Sequence, residues 1–164
     1  MIVRKATEKD AAAIIQLHFD AVHVTAAADY EQDILNDWSR PLAGRLEAMQ
    51  EQLRRNAEQT EMFVCEIGDQ AVGFGELSPL TNEVRAVYVA PSATRKGVGK
   101  KLLQEIEKTA VSHGLTELWL DSSLTAVPFY SSQGFSGSIE SEHILRSGKK
   151  MRCVKMQKTL SSPR

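Results

Sequence analysis

A strand that gives way to a basic, glycine-bearing turn and then to a helix dominates the middle of this chain. Residues 84–89 read Val-Arg-Ala-Val-Tyr-Val, rich in strand-forming side chains, and Pro91 closes the run. From 97 to 113 the period changes: Val98, Leu102, Leu103, Ile106 and Ala110 fall on one helical face. Residues 115–120 return to strand character. A strand, a helix and a second strand of this length predict a parallel pair joined by a right-handed crossover.

The flanking segments predict antiparallel partners. Residues 62–67 and 71–77 read as a hairpin about Gly68-Asp69, and residues 139–145 and 151–156 as another about Ser147-Gly148. Ile2 and Val3 begin a short strand. Thr7 and Asp10 resemble a helix start, followed by an apolar face of Ile14, Leu17, Phe19, Ala21, Val22 and Val24. A helical region over 31–57 is broken by Pro41 and Gly44, with Leu42, Leu46, Met49 and Leu53 at helical spacing in its second piece. A short helix over 125–133 tolerates Pro128 in its first turn. The fold class predicted is a mixed α/β sheet, mostly antiparallel with one central parallel crossover, and helices on both faces.

With 164 residues the chain fits one domain, taken as 1–160 with a frayed tail at 161–164. The formal net charge of −1 gives no general case for nucleic acid. No apolar run of signal-peptide or membrane-span length stands out, so a membrane role is not expected. Cys65 and Cys153 lie in separate strand-like runs without metal-ligand spacing. They read as buried free thiols, which suits a reducing, cytoplasmic location without a metal. Local charge is uneven: Arg95, Lys96, Lys100 and Lys101 cluster, as do Lys149, Lys150, Arg152, Lys155 and Lys158. A solvated face would explain either cluster, the second more readily than the first.

The first of these clusters sits where anions bind. In Thr94-Arg95-Lys96-Gly97-Val98-Gly99-Lys100 two glycines allow close approach to the backbone, and a helix N-terminus adds free amide donors. A P-loop would need glycine where Thr94 stands and Ser or Thr where Lys101 stands. A dinucleotide fingerprint would need a third glycine where Leu102 stands.

Two segments then resemble one family. Glu83-Val84-Arg85-Ala86-Val87-Tyr88-Val89-Ala90-Pro91, continued by Arg95-Lys96-Gly97-Val98-Gly99-Lys100-Lys101-Leu102-Leu103, is similar to the acyl-CoA-binding segment of the GNAT superfamily of N-acetyltransferases. Ala126-Val127-Pro128-Phe129-Tyr130-Ser131-Ser132-Gln133-Gly134-Phe135 resembles the same family's A-x-x-F-Y-x-x-x-G-F element. Together they span about a third of the chain directly, and the element order extends the likeness over nearly all of it.

The resemblance implies the acyl-CoA N-acyltransferase fold, with acetyl-CoA as co-substrate and no metal. Gly97, Val98, Gly99 and Lys100, with Arg95 and Lys96, would hold the CoA pyrophosphate. The main chain of Val87, Tyr88 and Val89 would pair with the pantetheine arm as with an added strand. Val87 N–H would face the thioester oxygen. Tyr130 would protonate the departing thiolate. Two positions depart from the family pattern: Thr94 replaces a usual Gln or Arg, and Ser123 replaces an Asn that often contacts pantetheine.

An alkyl amine has a pKa near ~10 and needs a base at neutral pH. Glu83 falls where some family members place a catalytic Glu; Glu76, His18, His23, Asp121 and His143 are weaker candidates. Residues 21–54 would shape the acceptor pocket, and their Asp29, Tyr30, Glu31, Asp33, Asp37 and Trp38 would suit a cationic amine. Three readings stay open: acetyl transfer to an amine-bearing small molecule, acetyl transfer to a lysine or N-terminus of a protein or peptide, and an acyl-CoA sensor without catalysis. A homodimer through the last strands fits the architecture.

Overall fold

The computed structural model describes residues 1–55 and 59–161. Its strands are β1 (Ile2–Lys5), β2 (Glu61–Ile67), β3 (Gln70–Ser78), β4 (Glu83–Val89), β5 (Glu117–Ser123), β6 (Ser136–Ile144) and β7 (Lys150–Thr159). The α-helices among the described residues are α1 (Ala11–Asp20), α2 (Gln32–Trp38), α3 (Leu46–Arg54), α4 (Val98–Ser112) and α5 (Val127–Ser132). The strands form one seven-stranded sheet in the order β1-β2-β3-β4-β5-β7-β6. Among the described residues only β4 and β5 pair in parallel, and every other neighbour is antiparallel.

Helices cover both faces, as the sequence predicts. Along β2, Phe63 and Cys65 join the core built on α4, while Met62 and Val64 join the one built on α1 and α3. A strand buried on both sides carries no polar alternation, which is why 62–65 read as an unbroken apolar run. Helix α4 lies close on β3 because Gly73 and Gly75 face it. A Cβ at Gly73 would meet Val98 Cγ1 at 2.8 Å, and one at Gly75 would meet Ile106 Cδ1 at 2.9 Å.

Three sequence expectations change. The N-terminal helix continues through a π-turn, Ala21–Thr25, and a 3₁₀ turn, Ala26–Ala28. The run Glu8–Ala28 is thus 21 residues long with mean hydropathy 1.2, long and apolar enough to cross a membrane, which the sequence did not suggest. Ile14, Leu17, Ala21 and Val22 are buried in the protein, whereas Val24 is 62% exposed, because a π-turn shifts the helical register. In α3 only Leu53 is buried; Leu42 and Leu46 face solvent, and Ala57, the expected helix end, lies outside the described residues. Strand β5 starts later and ends later than 115–120. Leu115 N–H bonds Ala110 O in the helix C-terminus at 3.0 Å, and the polar Asp121, Ser122 and Ser123 pair with Lys155, Val154 and Cys153 of β7. The tail expected at 161–164 falls, beyond Ser161, outside the described residues.

Candidate active site

The sheet opens at its parallel pair. β4 and β5 meet at one register position, Glu83 opposite Trp119, with Trp119 N–H bonding Asn82 O at 3.0 Å. Beyond that point they diverge, so the later part of β4 is laddered only to β3. A bulge helps: Ala86 opposes Glu76 and Val84 opposes Leu77, leaving Arg85 unpaired. Bulges bend a strand and increase its twist. This one also resets the alternation, so Val84, Val87 and Val89 all face the α4 side while Ala86 and Tyr88 face α1. Backbone groups on the free edge of β4 need a partner.

Two cavities occupy the gap. The larger, about 430 Å³, runs between Val87, Tyr88 and Val89 on one side and Ser123, Ala126 and Phe129 on the other, down to the 94–100 loop. The smaller, about 120 Å³, lies toward the pinch and is lined by Glu83, Arg85, Asp121, His143 and Tyr130 among others. They share Trp38, Val87, Tyr88, Ser123 and Ala126, so they meet where the strands have just parted.

The 94–100 loop is a concave nest of amides. Arg95 and Gly97 both take left-handed backbone conformations, at φ 61° and 83°. Gly97 caps α4 with no side-chain hydrogen bond, and no acidic residue follows in the first turn. The helix therefore keeps free donors and its positive end. A Cβ at Gly97 would meet nothing within 4 Å, so its backbone faces open space, while one at Gly99 would press on Phe129 at 3.1 Å. Arg95, Lys96 and Lys100 have no carboxylate partner among the described residues. The second basic cluster is different, since each member is paired: Lys149 with Asp33, Lys150 with Glu142, Arg152 with Glu140, Lys155 with Asp121 and Lys158 with Glu107.

Tyr130 is brought to the smaller cavity by α5. Its ring packs on Phe129 and Phe135 at centroid distances of 5.1 and 5.7 Å, and burial pushes its phenol well above the ordinary range. Ser123, the last residue of β5, lines both cavities, and its Oγ accepts Ala126 N–H at 3.2 Å at the start of α5. Tyr88 packs its ring against His18 and Phe74 on the α1 face of the sheet.

Polar contacts tie the segment from Asp29 to Trp38 to its neighbours, and Trp38 reaches the smaller cavity. Asp29 accepts from Thr125 Oγ at 2.7 Å. Tyr30 donates to Arg152 O at 2.7 Å and accepts Leu124 N–H at 2.8 Å. Asp37 accepts from Ser147, and Lys149 pairs with Asp33 at 3.2 Å. Asp33 and Asp37 tie α2 to the β6/β7 hairpin and Asp29 reaches the loop before α5, so these acids do not line the pocket as the sequence suggested, whereas Trp38 does. The pocket carboxylates are Glu83, whose Oε2 takes Arg85 Nε at 3.3 Å, and Asp121.

The remaining base candidates separate cleanly. His18 is partly buried, bonded through Nδ1 to Ser39 Oγ at 2.8 Å, and pushed down to about 4, first by loss of water and then by Arg45 and His23. His23 Nε2 contacts Ser39 O at 2.9 Å. Burial raises Glu76. None of these three lines either cavity, whereas His143 lines the smaller one. Cys65 and Cys153 are free and buried, and among the described residues no cluster of three His, Cys, Asp or Glu is placed to hold a metal.

Comparison with known families decides the matter. The acetyltransferase (GNAT) domain family matches residues 26–160. The chain belongs to the GNAT family of acetyltransferases. A curated GNAT relative, spermidine N(1)-acetyltransferase of Thermoplasma acidophilum, is 27% identical over 139 residues, covering 81% of this chain and 86% of the relative. Among solved structures, a GCN5-related N-acetyltransferase from Rhodopseudomonas palustris superposes with TM-score 0.86 at 22% identity, covering 97% of this chain and 95% of that one. The PaiA N-acetyltransferase of T. acidophilum, solved in complex with coenzyme A, gives TM-score 0.76 at 22% identity, covering 96% and 98%. Both likenesses place the fold within GNAT architecture.

Proposed function

We propose that this GNAT enzyme transfers the acetyl group of acetyl-CoA to a small cationic amine by direct attack within a ternary complex. The observation that supports this best is the meeting of the two cavities beside Val87, Ser123 and Tyr130. A thioester entering along β4 and an amine entering from the pinch reach each other there without a covalent enzyme intermediate.

Each named residue has a part. The amides of the 95–100 loop, with Arg95, Lys96 and Lys100, hold the pyrophosphate at the N-terminus of α4. The open edge at Val87, Tyr88 and Val89 hydrogen-bonds the pantetheine arm as a strand would. Val87 N–H supports the oxyanion, and Ser123 contacts the arm near its sulfur. Tyr130, kept protonated by burial, donates to the departing sulfur. Glu83 draws in the ammonium and takes its first proton through water. The T. acidophilum relative makes polyamines the first acceptors to try.

The test is thermal unfolding with and without acetyl-CoA, followed by thiol release over a panel of amines that includes spermidine. At a hundredfold excess over the dissociation constant the ligand adds about 2.7 kcal/mol. That raises the midpoint of a chain this size by roughly 5–10 °C. The shift should vanish in Gly97→Val. No shift and no thiol release in folded protein would refute the reading.

A further inference from the structure

A lysine that lines neither cavity holds the helix that carries Tyr130. We propose that Lys158 is a positioning residue, which sets the place of the Tyr130 phenol by fastening the C-terminal turn of α5 to α4. This rests on the acetyl-transfer reading above, with Tyr130 as proton donor to the departing sulfur.

The need for such a residue lies in the helix itself. α5 has only six residues, far below the ~12–15 at which a helix begins to hold alone. Contacts at its ends must therefore set its place. At the first end, Ser123 Oγ accepts Ala126 N–H at 3.2 Å. At the other, the chain turns through Gly134 at φ 90°, and the turn closes on Tyr130: Gln133 N–H and Phe135 N–H donate to Tyr130 O at 3.0 and 3.1 Å. A group that holds this turn holds the backbone of Tyr130.

Lys158, on β7, is that group. Its Nζ donates to Gln133 O at 2.7 Å and to Glu107 Oε1 of α4 at 2.6 Å. Gln133 O lies at the negative end of α5, where a cation is favoured. The lysine stem follows the turn, since a Cβ at Gly134 would meet Lys158 Cε at 3.4 Å. Nζ also stands 5.7 Å from the centroid of the Phe135 ring, which itself packs on Tyr130. Burial sets this lysine apart from the rest of its basic cluster. Its side chain is 23% exposed, against 44% to 65% for Lys149, Lys150, Arg152 and Lys155. A cation drawn from water keeps its place only when its donors are satisfied, and here the satisfying groups belong to two different helices. One of these helices starts at the pyrophosphate cradle and the other carries the phenol. The ammonium thus fixes the spacing between the two protein groups that grip opposite ends of the co-substrate. A misplacement of about 1 Å in such a constellation costs about 10²-fold in rate.

The test is a double-mutant cycle. Lys158→Met keeps the stem and removes the ammonium, Lys158→Arg keeps a donor for both partners, and Glu107→Gln weakens the same clamp from α4. Each is made in wild type and in Tyr130→Phe, and kcat for thiol release is measured with acetyl-CoA and spermidine, or the fastest amine of the panel. The unfolding midpoint and its acetyl-CoA shift are read on the same samples. In wild type, Lys158→Met should lower kcat by about 10–10²-fold with the acetyl-CoA shift kept. Glu107→Gln should show a smaller loss, and Lys158→Arg should recover part of the activity. In Tyr130→Phe the same changes should alter kcat by less than about twofold, because no phenol remains to be placed, while the midpoint falls alike in both backgrounds. A lysine that only stabilises the fold would lower kcat by the same factor in each background. That result, a Lys158→Met with near-wild-type kcat, or loss of the acetyl-CoA shift would overturn the positioning role and leave acetyl transfer standing. Full turnover in Tyr130→Phe would remove the proton donor and this proposal with it. A wild type that releases no thiol with any amine would overturn the acetyl-transfer reading itself.

Discussion

Tyr130 shows how packing and chemistry separate within one side chain. Its ring is held by Phe129 and Phe135, and those contacts do not involve the hydroxyl. Tyr130→Phe should therefore leave the unfolding midpoint and the acetyl-CoA shift nearly unchanged. Turnover should fall by about 10²–10⁴-fold if the phenol donates to the leaving sulfur. Steady-state thiol release and calorimetry on the same samples separate the two effects. The position of Tyr130 was legible in the sequence because its neighbours form a recognisable string. That Asp121 lines the smaller cavity was not legible, because its place depends on where β5 splits from β4, and a chain of letters does not display that divergence.

Between elements, the decisive contact is α4 on β3. The cradle at the N-terminus of α4 is aimed by how closely the helix lies on Gly73 and Gly75. Gly73→Ala would drive its Cβ to 2.8 Å from Val98 Cγ1 and 2.9 Å from Tyr88 O, and the latter is backbone that cannot turn away. Overpacking of this kind costs about 1–3 kcal/mol. We expect a midpoint lower by roughly 3–10 °C together with weaker acetyl-CoA binding, measured by thermal unfolding and titration. Helix and strand periods announced most elements. The end of β5 and the burial of α3 escaped, since Asp121, Ser122 and Ser123 carry no strand propensity and Leu42 and Leu46 lack a partner surface.

Across the whole molecule, stability and function draw on the same layout. His18 is neutral in its partly buried site, with its pKa pushed down to about 4, while an unfolded histidine titrates near 6.5. The unfolded chain thus binds the proton more readily between those values, so the protein is fully supported above about pH 6.5 and loses up to about 3 kcal/mol as pH falls toward 4. A scan of midpoint against pH should show that slope in wild type, and His18→Gln should flatten it from a lower plateau. The sheet itself is two plates, β1 to β4 and β5 to β7 with β6, hinged at the single pair Glu83 and Trp119. With the pantetheine arm serving as the strand missing between them, loading the donor would complete the architecture. On the proposed function the unliganded protein would be an unfinished sheet, and its co-substrate would double as a building part.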